Sequence, residues 1–263
     1  MMLFVFEGKD DAGYFESIRR LFFQKIPDEQ FVCTYNSDIY SLYKQLMAHD
    51  VLNEKHEVDT APVLRELLIA RGNDKLKGVR EDEVSEIYLF FDYDFQNKGG
   101  NLSDNNRKLR EMLEFFADET ENGKLYVSYP MLEALRHTNK LPDNEYYRYI
   151  ISREDSGRFK FLAGEFSYYK STDYILLSSR NTSGQDEDKR RNWVHLTRMN
   201  VCKANYICKG ANELPRIIDD ICPVNIFDNQ INRYVQSDEC AVAILSAFPI
   251  FLFEYFGPIM LSV

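Results

Sequence analysis

The sequence predicts an α/β protein, with a mainly parallel sheet flanked by helices and a largely helical C-terminal half. Three observations carry this. Ile87-Tyr88-Leu89-Phe90-Phe91 is an unbroken apolar run, the pattern of a strand covered on both faces. Through residue 139, short apolar runs alternate with segments whose apolar residues recur every three or four positions, the rhythm of parallel sheets with crossover helices. After residue 140 that rhythm stops, and aromatic-rich and helix-period stretches replace it. The expected organisation is a core of residues 1–139 and a mainly helical region, 140–263, packed on it.

The elements follow in order. Phe4–Phe6 is the first predicted strand. Tyr14, Phe15, Ile18, Leu21 and Phe22 then fall on one face of a helix. Phe31–Tyr35 is the second strand, and Ile39, Leu42, Tyr43, Leu46 and Met47 mark the next helix. Asp59 or Thr60, followed by Pro62, starts another helix carrying Val63, Leu64, Leu67 and Leu68. Residues 72–83 are polar and read as loop. Ile87–Phe91 is the third strand, and 96–104, with Gly99-Gly100, is loop. Leu109, Met112, Leu113 and Phe116 make a helix, Leu125–Tyr129 a further strand, and Pro130 opens a short helix over 131–136.

In the second half, the aromatic residues from Tyr146 to Tyr174 are expected in the core. Residues 181–188 read as loop and 187–209 as a helix. That helix carries Trp193, Leu196, Asn200 and Ala204 on one side, and Lys189, Arg190, Arg191, Arg198, Lys203 and Lys209 along its length. Residues 212–263 read as mainly helical. Ala241–Leu261 is apolar except for Glu254, but Pro249, Gly257 and Pro258 interrupt it. A buried helix pair, or a helix and tail, is therefore expected there rather than a membrane span.

Composition narrows the function. The 263 residues are 44% hydrophobic, enough for a sizeable core, and the formal net charge is -10. Such a surface repels polyanions, so a nucleic-acid partner needs a local basic face or bound metal ions; the 189–209 helix is the candidate face. Five cysteines without a C-x-x-C, with His195 alone near the later ones, read as reduced, mostly buried thiols rather than a zinc site. With the first apolar run stopping at Glu7, the expectation is a cytoplasmic protein.

Two apolar runs end in acids. Leu3–Phe6 leads into Glu7-Gly8-Lys9-Asp10-Asp11, and Ile87–Phe91 into Asp92-Tyr93-Asp94. Open parallel sheets bind ligands at the carboxyl ends of their strands. A hard cation such as Mg²⁺ takes oxygen ligands and keeps several waters, so a few carboxylates there suffice. In extended chain, Asp92 and Asp94 point the same way. Asp11 projects from the first turn of the following helix, close to Glu7, where the helix dipole favours an acid. A single acid at such a place is usually a helix cap, whereas two clusters at two strand ends point to metal.

Apolar strand–Glu-Gly followed by apolar strand–Asp-x-Asp resembles the Toprim domains of primases, topoisomerases, recombination proteins and OLD-family nucleases. The spacing of Glu7 and Asp11, and Glu133 within Tyr129-Pro130-Met131-Leu132-Glu133-Ala134-Leu135, look most like the OLD-like branch and its relatives in antiphage defence. The resemblance covers residues 1–139. It implies a Toprim-like fold and one or two Mg²⁺ or Mn²⁺ ions held by Glu7, Asp11, Asp92, Asp94 and Glu133. It also implies hydrolysis of phosphodiester bonds in DNA or RNA. Glu7 is then a candidate general base, and Lys9 or Lys203 a candidate cation for the transition state. The glycine and further acid that often follow the Toprim Asp-x-Asp are replaced by Phe95-Gln96-Asn97. No Walker A sequence occurs, so on this reading the chain acts alone, as a homo-oligomer, or with a separate ATPase subunit. Two other readings compete. One is a haloacid-dehalogenase-like phosphatase, a family that carries Asp-x-Asp on its first strand. The other is a non-catalytic Toprim-fold regulatory or partner-binding subunit, with the apolar stretch 248–261 as its interface.

Overall fold

The structure is a computed structural model, describing residues 1–26, 29–52, 59–96, 101–167, 176–178 and 180–261. Strands β1 (Met2–Phe6), β2 (Gln30–Thr34), β3 (Glu86–Asp92), β4 (Ala117–Asp118) and β5 (Gly123–Ser128) form one sheet in the order β2-β1-β3-β5-β4. β1 pairs in parallel with β2 and with β3, with Phe6 opposite both Thr34 and Phe90. β3 and β5 run the same way, because Gly123 meets Ile87 at one end and Tyr93 N–H donates to the Ser128 carbonyl at the other. Only β4, folded back on β5, is antiparallel. The fold is α/β with a mainly parallel sheet, as the alternating rhythm requires.

Sequence explains each piece. Every residue of β1 is buried, as is 87–91 of β3. Aromatic rings stack across the strands, Phe4 on Tyr88 at 5.0 Å, Phe6 on Phe90 at 5.1 Å and Phe90 on Tyr126 at 5.4 Å. Such pairs contribute about 0.5–1.5 kcal/mol each beyond the area they bury. Helices α1 (Lys9–Phe22), α2 (Ile39–Ala48), α3 (Thr60–Ala70) and α4 (Leu102–Phe115) fill the crossovers. Asp38, Asp59 and Asn101 cap α2, α3 and α4, each accepting a backbone N–H of the first turn. The choice between Asp59 and Thr60 thus falls to Asp59. Asn101 starts α4 inside the stretch expected as loop; residues 97–100, with both glycines, lie outside the described residues. The polar stretch 72–83 contains two 3-10 turns, and 132–136 is a 3-10 turn rather than an α-helix.

Contacts divide the chain into two compact units. One comprises Met1–Gly13, Lys25–Asp92 and Lys98–Tyr126; the other comprises Tyr14–Gln24, Tyr93–Asn97 and Val127–Val263. The spine of the second unit is the helix Asp186–Lys209, whose Trp193, Leu196, Val201, Ala204 and Ile207 are buried. The helix Ala247–Phe256 packs on it with Phe248 and 250–253 buried. The C-terminal stretch expected as helices opens instead with a strand. Ala241–Ala243 pairs antiparallel with Ile150–Ser152, because three small or β-branched residues fit a buried ladder. No helix among the described residues is long and apolar enough to cross a membrane.

The long helix is not one basic face. Lys189 and Lys203 are fully buried, Arg190 donates to the Leu21 carbonyl, and Arg191 and Lys209 pair with Asp188 and Asp220. Of the aromatic stretch, Tyr146 and Phe159 are core while Phe161 is 66% exposed; Tyr168, Tyr169 and Tyr174 lie outside the described residues. Cys33 is buried, and the other four thiols are only half-buried.

Candidate metal centre

In the first unit, Glu7 directly follows β1. Its N–H continues the ladder to the Phe90 carbonyl at 3.0 Å, which places it beside the end of β3. Its side chain then turns to that strand: Glu7 Oε2 accepts the Asp92 N–H at 3.0 Å. Asp92 is the last residue of β3. The acids that end β1 and β3 are thus joined by a charge-assisted hydrogen bond, which fixes the Glu7 carboxylate over the strand ends. Asp11 stands in the first turn of α1 and is 9% exposed. A Cβ on Gly8 would lie 3.7 Å from Asp11 Oδ2, so the carboxylate folds back over the residue next to Glu7. Lys9 and Asp10 are exposed.

The sequence did not single out Asn36. It follows β2, adopts a left-handed backbone with φ 56°, and donates its N–H to the Glu7 carbonyl at 2.9 Å. The signal for it was positional. Asn36 lies two positions past a strand that neighbours β1, which brings it beside Glu7.

In the second unit, Asp94 does not continue the strand. Its φ is 52°, so the expectation that Asp92 and Asp94 point alike in extended chain is corrected. The cause is Tyr93, which is 1% exposed and packs against Phe95 at 5.4 Å and Tyr129 at 5.5 Å. Burying that ring turns the chain, and an aspartate tolerates the left-handed region better than most residues. Asp94 Oδ1 accepts from Gln96 Nε2 at 3.1 Å. Glu133 lies on the 3-10 turn Leu132–Arg136, its side chain 12% exposed and paired with Lys160 at 3.1 Å. It is therefore neither solvated nor a plain helix acid.

Lys203 is fully buried. Its Nζ donates to the carbonyls of Tyr146 at 3.0 Å and Tyr149 at 2.6 Å, and lies 4.6 Å from the centre of the Tyr146 ring. Burial pushes its pKa well below the ordinary lysine value. Its donors are spent on the 146–149 turn, so the structure gives it a place in the fold.

A cation can be weighed against these donors. All are oxygens, which suits Mg²⁺ or Mn²⁺ rather than zinc. Among the described residues, no three of His, Cys, Asp or Glu form a group able to hold a metal by themselves. Gln96 Oε1, beside the Asp94 contact, is buried with no hydrogen-bond partner, an oxygen that bound water or a cation satisfies. No family model, no curated protein and no solved structure matches the chain.

Proposed function

We propose that this chain is a metal-dependent nuclease of the Toprim type, hydrolysing phosphodiester bonds in nucleic acid in the manner of the OLD-like, phage-defence branch. The observation that supports it is the junction of Glu7 and Asp92. Two acids end adjacent parallel strands in register, and the carboxylate of one is held on the backbone of the other. This is the structural context that the strand–Glu and strand–Asp-x-Asp motifs call for.

Glu7 and Asp92 would hold the ion, with Asp11 close behind Glu7. A bound Mg²⁺ or Mn²⁺ supplies a Lewis acid for the phosphate and a water of lowered pKa. The protein's part is to orient. The Asp92 N–H fixes the Glu7 carboxylate, either as a ligand or, alternatively, as the base that takes the proton of the attacking water. The buried wall of β1 and β3 beneath it limits water on that side.

The Asp92→Ala, Asp94→Ala double variant tests this. Mg²⁺- or Mn²⁺-dependent cleavage of oligonucleotides should vanish while the thermal melt stays close to that of the parent. Cleavage retained by the double variant would sink the proposal.

The partner-binding subunit is less well supported. Its proposed interface is partly spent, because Phe248 and 250–253 are buried, while Ile259 is 71% exposed. The phosphatase reading is disfavoured because Asp92 ends the third strand in chain order, not the first.

A further inference from the structure

In a chain of net charge -10, a half-buried arginine whose Nε has no acceptor needs an explanation. Arg136 is such a group. Its Nε is buried without a hydrogen-bond partner, and no ion pair engages it among the described residues. Glu133, three residues earlier on the same 3-10 turn, would lie alongside it, but Glu133 pairs with Lys160 instead. The helix Phe159–Phe166 packs on this turn. Where the helix passes Arg136 it carries Gly164, and a Cβ there would stand 2.9 Å from the guanidinium Nη2. Glycine inside a helix costs about 1 kcal/mol relative to alanine, and here it leaves room for the guanidinium. Lys160 and Phe161 precede Gly164 by four and three residues, so they share its helix face. Lys160 and Phe161 are both largely exposed, Phe161 at 66%.

We propose that Arg136, Lys160 and Phe161 form a contact site for single-stranded nucleic acid in the second unit. The ligand class rests on the function proposed above. Arg136 takes a backbone phosphate with its planar fork and Phe161 offers its ring to an unstacked base, while Lys160, held by Glu133, screens that carboxylate from the phosphate. A duplex keeps its bases stacked and cannot use Phe161, so the site favours single strands.

The test is binding, not cleavage, so its failure is separate from failure of the metal chemistry. Fluorescence anisotropy with a labelled 20-nucleotide single strand is followed in EDTA at low salt, with the matching duplex as competitor. Arg136→Ala should weaken binding about tenfold and lower the slope of log K against log salt by about 1. Phe161→Ala should weaken single-strand binding and leave duplex binding unchanged. Gly164→Ala is the structural control. Its methyl group meets only the movable end of Arg136, so the protein should melt no lower than the parent yet bind like Arg136→Ala. Undiminished binding in both Arg136→Ala and Gly164→Ala would overturn the proposal, as would a parent protein that binds no single strand at low salt.

Discussion

His137 shows how a single side chain can tie stability to pH. It stacks on Phe159 at 5.3 Å and Phe166 at 4.4 Å and meets the edge of Tyr149. Its Nδ1 is buried without a partner. Burial first, then the charge of Lys203, pull its pKa from 6.5 down to about 4. Asp143 faces the same region, accepting from Thr138, Tyr149 and the Glu145 N–H. Between pH 6.5 and 4 the unfolded chain protonates at this histidine while the folded chain does not. Stability should therefore fall as pH falls through that window, by up to roughly 3 kcal/mol from this group. In urea titrations from pH 7 to 4, His137→Phe should keep the stack and lose less stability than the parent. Equal losses would show that His137 is protonated in the folded state at higher pH. At this scale the sequence was partly legible. Glu7, Asp11 and Asp92 lie where strand ends and a helix start put them. Asp94 departs from the period-2 expectation because β3 ends at Asp92 and Tyr93 is buried. Arg136 and His137 were not legible, because what distinguishes them is the absence of a partner, which only folded neighbours reveal.

Among the elements, β5 depends most on one residue. Gly123 has φ 114°, and a Cβ there would lie 3.0 Å from Ile87 Cγ2 and 3.2 Å from Leu89 Cδ1. Both are side chains of β3, held in the sheet. Gly123→Ala combines a strained backbone with a clash against a packed strand, and should destabilise by about 2 kcal/mol or more. A denaturation midpoint unchanged by that substitution would contradict the close approach of β5 to β3. Elements with a strong local code were readable, since caps such as Asp59 and Asn101 and the apolar run 87–91 act within a few residues. The strand Ala241–Ala243 was not. It has three residues, and its identity comes from Ile150–Ser152 about ninety residues earlier. Short strands are defined by their partners rather than by their own periodicity.

For the whole molecule, the acidic balance is the governing fact. The long helix, the basic stretch of the sequence, spends Lys189, Lys203, Arg190, Arg191 and Lys209 on burial, carbonyls and acids of its own unit. Sequence showed how many cations there were but not how they were used, because use depends on which face of the helix is buried. On the proposed function, positive charge for a polyanion would then come from a bound metal at the strand ends and from Arg136 in the second unit, rather than from this helix. On this reading, Glu7 and Asp92 bind a divalent cation. A crystal grown with Mn²⁺ and measured for anomalous scattering tests it most directly. A peak within roughly 2.0–2.6 Å of carboxylate oxygens of Glu7 and Asp92, lost in a Glu7→Gln crystal, is the predicted result. Crystals saturated with Mn²⁺ that show no anomalous peak at these two residues would contradict it.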